Sequence, residues 1–270
     1  MTGQWPPPDE AAFVLRTVDE RLSQALSELA DADVVRAVHE VRKRLKSARA
    51  LLWALEQLPY GISRKAARRA RIRLGRAAAL LAGARDAEVL AETAASNGFG
   101  GVARRLRAAV PQADALPLER AGRKIAAVRA ALGAIRADDG GPLLRAAILR
   151  SYREGRRGWR SCRTDRSAKA LHGWRKRVKR LYYLLSALPE HDPVAADQLN
   201  RLGDLLGLDH DNALLADRVG DVAGNARRKR AKIATTRKRL QRQIFDLAAT
   251  VYAPKPTTFA AATRWPAGAC

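Results

Sequence analysis

The chain has 270 residues, 47% of them hydrophobic, and carries 51 Lys plus Arg against 27 Asp plus Glu, a net charge of +24. A core can be buried at this length, but the charge excess repels itself and points to a polyanionic partner once the cations are gathered in space. No apolar run approaches the ~18 residues of a membrane span, the cysteines Cys162 and Cys270 lie too far apart in sequence for a Cys-x-x-Cys site, and the Pro-rich segment Met1 to Glu10 lacks the apolar stretch of a signal peptide.

Ala-rich composition and 5% aromatics lean towards helix, and no strand pattern is found. Residues 11–30 read as an amphipathic helix. Asp31 and Asp33 lead into a second helix whose basic part runs from His39 to Leu58. Pro59, Gly61 and Ser63 mark a turn. Residues 64–83 and 85–95 form the next helices, Asn97 to Gly101 punctuates, and 102–110 and 118–136 are helical around Pro111 and Pro117. The run Asp138 to Pro142 breaks the chain near its middle. Helices follow at 143–163 and 168–188, then, after a Pro189–Pro193 turn, at 194–206, 211–224 and 226–252. The expectation is a domain over 10–252, in halves of about 10–137 and 143–252, with flexible tails at 1–9 and 253–270.

The halves share a repeat. VHEVRKRLKSARALLWAL (38–55) and LHGWRKRVKRLYYLLSAL (171–188) agree at nine of eighteen positions, and LLAGARDAEVL (80–90) pairs more weakly with LLGLDHDNALL (205–215), sharing Asp86 and Asp211. At about 100° per residue, Arg42, Lys43, Lys46 and Arg49 fall within roughly 120° of arc with His39. Val41, Leu45, Ala48, Leu52 and Leu55 line the opposite side. In the second copy, Arg175, Lys176, Lys179 and Tyr182 share the face of His172, and Arg180 follows directly. Like charges at this spacing cost an isolated helix a few tenths of a kcal/mol per pair. Their recurrence, each time behind a His, favours an anion site over a merely solvated face.

Cationic neighbours argue against His39 and His172 as metal ligands. A bound anion would instead raise their pKa against the surrounding positive charge. His191 reads as a surface residue, while His210, Asp86 and Asp211 read as helix starts or caps. Arg150, Arg153, Arg157 and Arg160 lie along the helix before the second block, where Arg153 and Arg157 extend the same cationic cleft. A phosphate chain, with regular charges and no base to read, suits converging Lys and Arg, and binding would weaken steeply with salt.

The blocks VHEVRKRLKSAR and LHGWRKRVKRLYYLL, with ARDAEVL and LDHDNALL, resemble the paired signatures of the CHAD (conserved histidine α-helical) domain over roughly residues 10–250. The resemblance implies an all-α fold of two four-helix-bundle-like halves, related by pseudo-twofold symmetry around a basic central cleft or pore. It also implies inorganic polyphosphate as partner and a cytoplasmic location at polyphosphate granules. Carried onto this sequence, it makes His39, Arg42, Lys43, Lys46, His172, Arg175, Lys176 and Lys179 contacts. Position 182 departs from the pattern, being Tyr where the first copy has Arg49. The Glu-x-Glu-x-Lys motif of the triphosphate tunnel enzymes fused to some relatives is missing, as are a Walker loop and paired acids near the basic blocks, so no catalysis, cofactor or metal is expected. Nucleic-acid binding and an enzyme acting on polyphosphate are the alternatives. The former would lean on Tyr182 and Tyr183 for stacking.

Overall fold

The computed structural model describes residues 9–262 apart from 32, 59–61, 110–116, 136–142, 190 and 223–224. The expected tail at 1–9 (all but residue 9), the Pro59–Gly61 turn, Pro111, the Asp138–Pro142 break and Cys270 lie outside them. Among the described residues the fold is all-α, with no strand: α1 (Glu10–Glu28), α2 (Val34–Leu55), α3 (Ile62–Leu80), α4 (Ala82–Ser96), α5 (Gly100–Ala108), α6 (Leu118–Ala130), α7 (Leu143–Cys162), α8 (Ala168–Leu185), α9 (Pro193–Val222), α10 (Ala226–Tyr252) and α11 (Pro256–Ala262).

Local chemistry fixes three of the helix starts. Asp9, Asp33 and Ser167 accept the backbone N–H of Ala12, Arg36 and Ala170, so each side chain satisfies a donor the first turn leaves open. Glu10 does the same across the fold: from α1 it accepts the N–H of Leu144 at 2.6 Å. Burial raises its pKa despite that bond.

Helices α1, α2, α3 and α6 pack in a ring, as do α7, α8, α9 and α10, and α2 lies against α8 where the two rings meet. The apolar stripe of each basic helix faces inward. Val38, Val41, Leu45, Leu52 and Leu55 are buried on α2, and Leu171, Trp174, Val178, Leu181 and Leu185 on α8. One continuous core runs through both rings. Between them Arg180 stacks on Trp53 of α2, its guanidinium carbon 3.8 Å from the ring centroid, and pairs with Glu154 of α7.

A smaller core has a different composition. Leu90 and Ala94 of α4, Phe99, and Val102 and Ala103 of α5 pack on Leu215 and Val219 of α9 and Ile233 of α10. Above it, the buried Asn97 side-chain amide donates to the Asn212 carbonyl oxygen at 2.9 Å and accepts from Thr236 at 3.0 Å. The chain's first part is thereby bound into its second.

Two expectations need correction. The helices expected at 194–206 and 211–224 are one helix of 30 residues, α9. The polar run Asp209–Asn212 does not end it, because its side chains find partners elsewhere in the fold: Arg237 and Gln241 of α10 donate to Asp209, and Asn97 to Asn212. Part of the expected flexible tail is also structured. α11 packs on α7 with Phe259 buried and stacked on Tyr152, ring centroids 3.9 Å apart.

Candidate functional site

The cationic faces of α2 and α8 open onto a shared pocket of about 700 Å³, closed by residues of α4 and α9. His39, Arg42, Lys43 and Lys46 reach it from α2, and His172, Arg175 and Lys179 from α8. In the register of the repeat, three matched pairs meet there: His39 with His172, Arg42 with Arg175, and Lys46 with Lys179. Asp86, Asp204 and Asp211 also line the pocket, so its walls are mixed in charge with cations in excess.

On the α8 side the cations are braced against α9. Arg175 donates through Nε to the Gly203 carbonyl at 3.2 Å. Lys179 donates to the Asn200 side chain at 2.9 Å and to Asp204 at 2.7 Å, with its ammonium 5.2 Å from the Tyr182 ring centroid. Two glycines one helical turn apart make room. A Cβ at 203 would lie 2.6 Å from Lys179 Cε, and one at 207 would lie 3.0 Å from an Arg175 guanidinium nitrogen. Burial pushes the Lys179 ammonium down and Asp204 pushes it back up.

The α2 side is more open. Arg42 donates to the Ala78 carbonyl at 3.4 Å and approaches Asp86 at 3.7 Å. Ala78 sits in the last turn of α3, whose carbonyls lack helical partners. Lys43 pairs with Glu40 one turn back, and Lys46 is exposed, whereas its repeat counterpart Lys179 has a side chain only 16% exposed.

The histidines differ from the sequence expectation. His210 does not start a helix but lies inside α9, its ring 4.0 Å from that of His172. Both Nδ1 atoms are buried without a hydrogen-bond partner. Burial, then the neighbouring His210, Lys176 and Arg175, push His172 down to about 4. His210 is lowered by burial and by Arg175, against the pull of Asp209 and Asp86. The pocket therefore presents two neutral imidazoles at neutral pH. Among the described residues, no group of three or more His, Cys, Asp or Glu is placed to hold a metal ion.

Asp86 and Asp211 do not cap helices; both lie within one, α4 and α9, and face the pocket. Five further cations expected at the site are elsewhere. Lys176 is exposed outside the pocket lining. Arg49 lies against Gly75 of α3, where burial and the nearby Arg71 push its guanidinium down. Arg180 is turned to Glu154, Ser151 and Trp53, so it joins helices instead of facing the pocket. Arg153 and Arg157 line a separate groove. They sit on another helix, α7, whereas on α8 Lys176 lies only about 40° in helical phase from His172, a difference a helical wheel resolves poorly.

Sequence reasoning missed Asn200, Asp204 and the glycines, and named Tyr183 only as a stacking platform for nucleic acid. The available signal was Gly203 and Gly207 at i and i+4 inside a helix, a costly choice unless something must approach closely. Burial pushes the Tyr183 hydroxyl up to about 12, which keeps it a neutral donor at the pocket wall.

The family model of the CHAD domain matches residues 14–220 of the chain. Neither the curated proteins nor the solved structures contain a match. No helix among the described residues is long and apolar enough to cross a membrane.

Proposed function

The chain belongs to the CHAD-domain family, and from that premise we propose that it is a non-catalytic binding protein for inorganic polyphosphate, held in the pocket between α2 and α8. In this reading the pocket is the basic central cleft between two halves related by a pseudo-twofold axis, and the protein works in the cytoplasm at polyphosphate granules.

The observation that carries the reading is the convergence of three repeat-matched pairs, His39 and His172, Arg42 and Arg175, Lys46 and Lys179, on one pocket. A repeated ligand suits a repeated wall. A phosphate chain offers the same charged unit to both copies, whereas a base or a single small anion would engage them unequally. The arginines grip phosphate oxygens with a two-pronged fork and the lysines act as point charges. Asp204 pairs with Lys179 and Asp86 approaches Arg42, so these cations are held in place before ligand arrives. Preorganisation of this kind lowers the ordering cost of binding.

Isothermal titration with polyphosphate of about 100 units tests the proposal. Expected are tight binding, little binding of orthophosphate, and a linear fall of log affinity with log salt. Duplex or single-stranded nucleic acid of matched charge binding equally well would overturn the choice of ligand and put weight on Tyr182 and Tyr183 as stacking platforms. Phosphate release from the chain over hours, with or without Mg²⁺, would overturn the non-catalytic assignment.

A further inference from the structure

The spacing that defines the two basic blocks occurs a third time, outside the pocket. His39, Arg42, Lys43 and Lys46 stand at i, i+3, i+4 and i+7, as do His172, Arg175, Lys176 and Lys179. On α7, Arg153, Arg156, Arg157 and Arg160 repeat it with arginine at every position. At about 100° per residue they share an arc of roughly 100° and span about 10 Å of helix.

These four arginines and Pro256 line an open groove of about 220 Å³ that shares no residue with the pocket between α2 and α8. None of the four has a carboxylate partner among the described residues. On the same helix, Arg150 pairs with Glu154, which also holds Arg180. Acid is thus within reach of α7, but it is spent on the face turned to α8.

The scaffold beneath the arginines is fixed. A Cβ on Gly155 would lie 2.4 Å from the Tyr252 hydroxyl oxygen, and one on Gly158 would lie 2.6 Å from Trp174, so α7 sits directly on those rings. Tyr152 donates to the carbonyls of Val251 and Pro254, and Arg156 to that of Tyr252. Arg153, Arg157 and Arg160 remain exposed. Four like charges within one helical arc destabilise the free helix, and an anion across them removes that cost.

We propose that this arginine ladder is a second, independent oligophosphate-binding site. An extended acidic peptide presents a carboxylate to one face only every ~7 Å, because successive side chains alternate. It would match about two of four guanidinium forks over this span, while a condensed phosphate carries charge on every unit. The groove has no aromatic lining residue on which a base could stack. The site goes beyond the pocket reading and stands whether or not the pocket takes the same ligand. If both do, a chain long enough to reach them gains avidity on the order of 100-fold over a short one.

Calorimetry of the full chain with tripolyphosphate tests this. The wild type is expected to bind two equivalents, and Arg153→Gln/Arg157→Gln/Arg160→Gln one. Arg156 is kept, because it holds the Tyr252 carbonyl. Arg175→Gln/Lys179→Gln is expected to keep the α7 equivalent. Circular dichroism checks that each variant is helical, and Arg153→Lys/Arg157→Lys/Arg160→Lys, with charge retained but the fork lost, is expected to bind about tenfold more weakly at this site. An α7 triple Gln variant with the stoichiometry and affinity of the wild type overturns the proposal. If only the pocket reading is wrong, the pocket variant titrates like the wild type while the α7 variant still loses its equivalent. Poly-glutamate of matched charge is expected to compete at least tenfold less well, and equal competition overturns the phosphate assignment.

Discussion

The two walls of the pocket are written in nearly the same sequence and are held in different ways. In the register that aligns 80–90 with 205–215, Gly203 falls at Ala78, and the bond from Arg42 to the Ala78 carbonyl has its counterpart in that from Arg175 to the Gly203 carbonyl. The likeness stops one step further. Asn200 and Asp204, which hold Lys179, fall at Gly75 and Ala79, which bring no side-chain oxygen to Lys46. Below Lys179 the second copy has glycine where the first has alanine. The result is one recessed, braced wall on α8 and one more exposed wall on α2. What distinguishes them is the helix behind, not the basic helix itself.

The largest expected effect comes from breaking the braced wall. Arg175→Glu/Lys179→Glu should lower polyphosphate affinity roughly 100-fold or more, since two charge-assisted contacts are lost and two repulsions created. Lys43→Glu/Lys46→Glu on the open wall should cost clearly less in the same titration. Equal losses would mean that bracing is irrelevant to binding.

Next is the clamp on α9. Asp209 is fully buried and accepts both prongs of Arg237 at 3.0 Å. Asp209→Ala strands the guanidinium and should destabilise the protein by about 3 kcal/mol, read as a lowered midpoint in urea. Gly203→Ala should separate stability from binding. Alanine is better than glycine inside a helix by about 0.5–1 kcal/mol, yet its Cβ must push the Lys179 stem aside. Thermal stability should hold or rise while affinity falls several-fold; an unchanged affinity would remove the glycine from the account.

The smallest effect separates the walls by pH. His172 and His210 have pKa values below the ordinary value of 6.5, so the unfolded chain takes up protons before the folded one does. Stability of the free protein should be full above pH 6.5 and decline as pH falls towards 4. An anion beside the rings reverses the preference. Affinity should therefore rise modestly between pH 7.5 and 5.5, and His172→Asn/His210→Asn should flatten the rise.

Much of this was legible in advance. Apolar stripes at helical spacing named the inward faces of α2 and α8, and the repeat named the three pairs that meet in the pocket. The rest depended on partners distant in sequence. Asp209, Asn212 and Asp211 look like a helix start when read locally, and only Arg237, Gln241 and Asn97 explain why the helix continues through them. Arg49 and Arg180 share the basic composition of their neighbours, yet Gly75 in one case, and Glu154 with Trp53 in the other, draw them away. Asn200 and Asp204 had no motif to announce them, because their role is defined by the lysine they hold.

The smaller core, where α4 and α5 lie on α9 and α10 with Asn97, Asn212 and Thr236 bonded across the seam, bears on how the molecule could be taken apart. A chain severed between α6 and α7 would give fragments that each lack part of their own packing surface. The first would expose Leu90, Phe99 and Val102, and the second Leu215, Val219 and Ile233. Such fragments should be poorly behaved alone and should rejoin when co-expressed, as a split protein does. Although the sequence reads as two copies of one unit, neither copy is a self-sufficient module, and the pocket exists only once the two are interlocked.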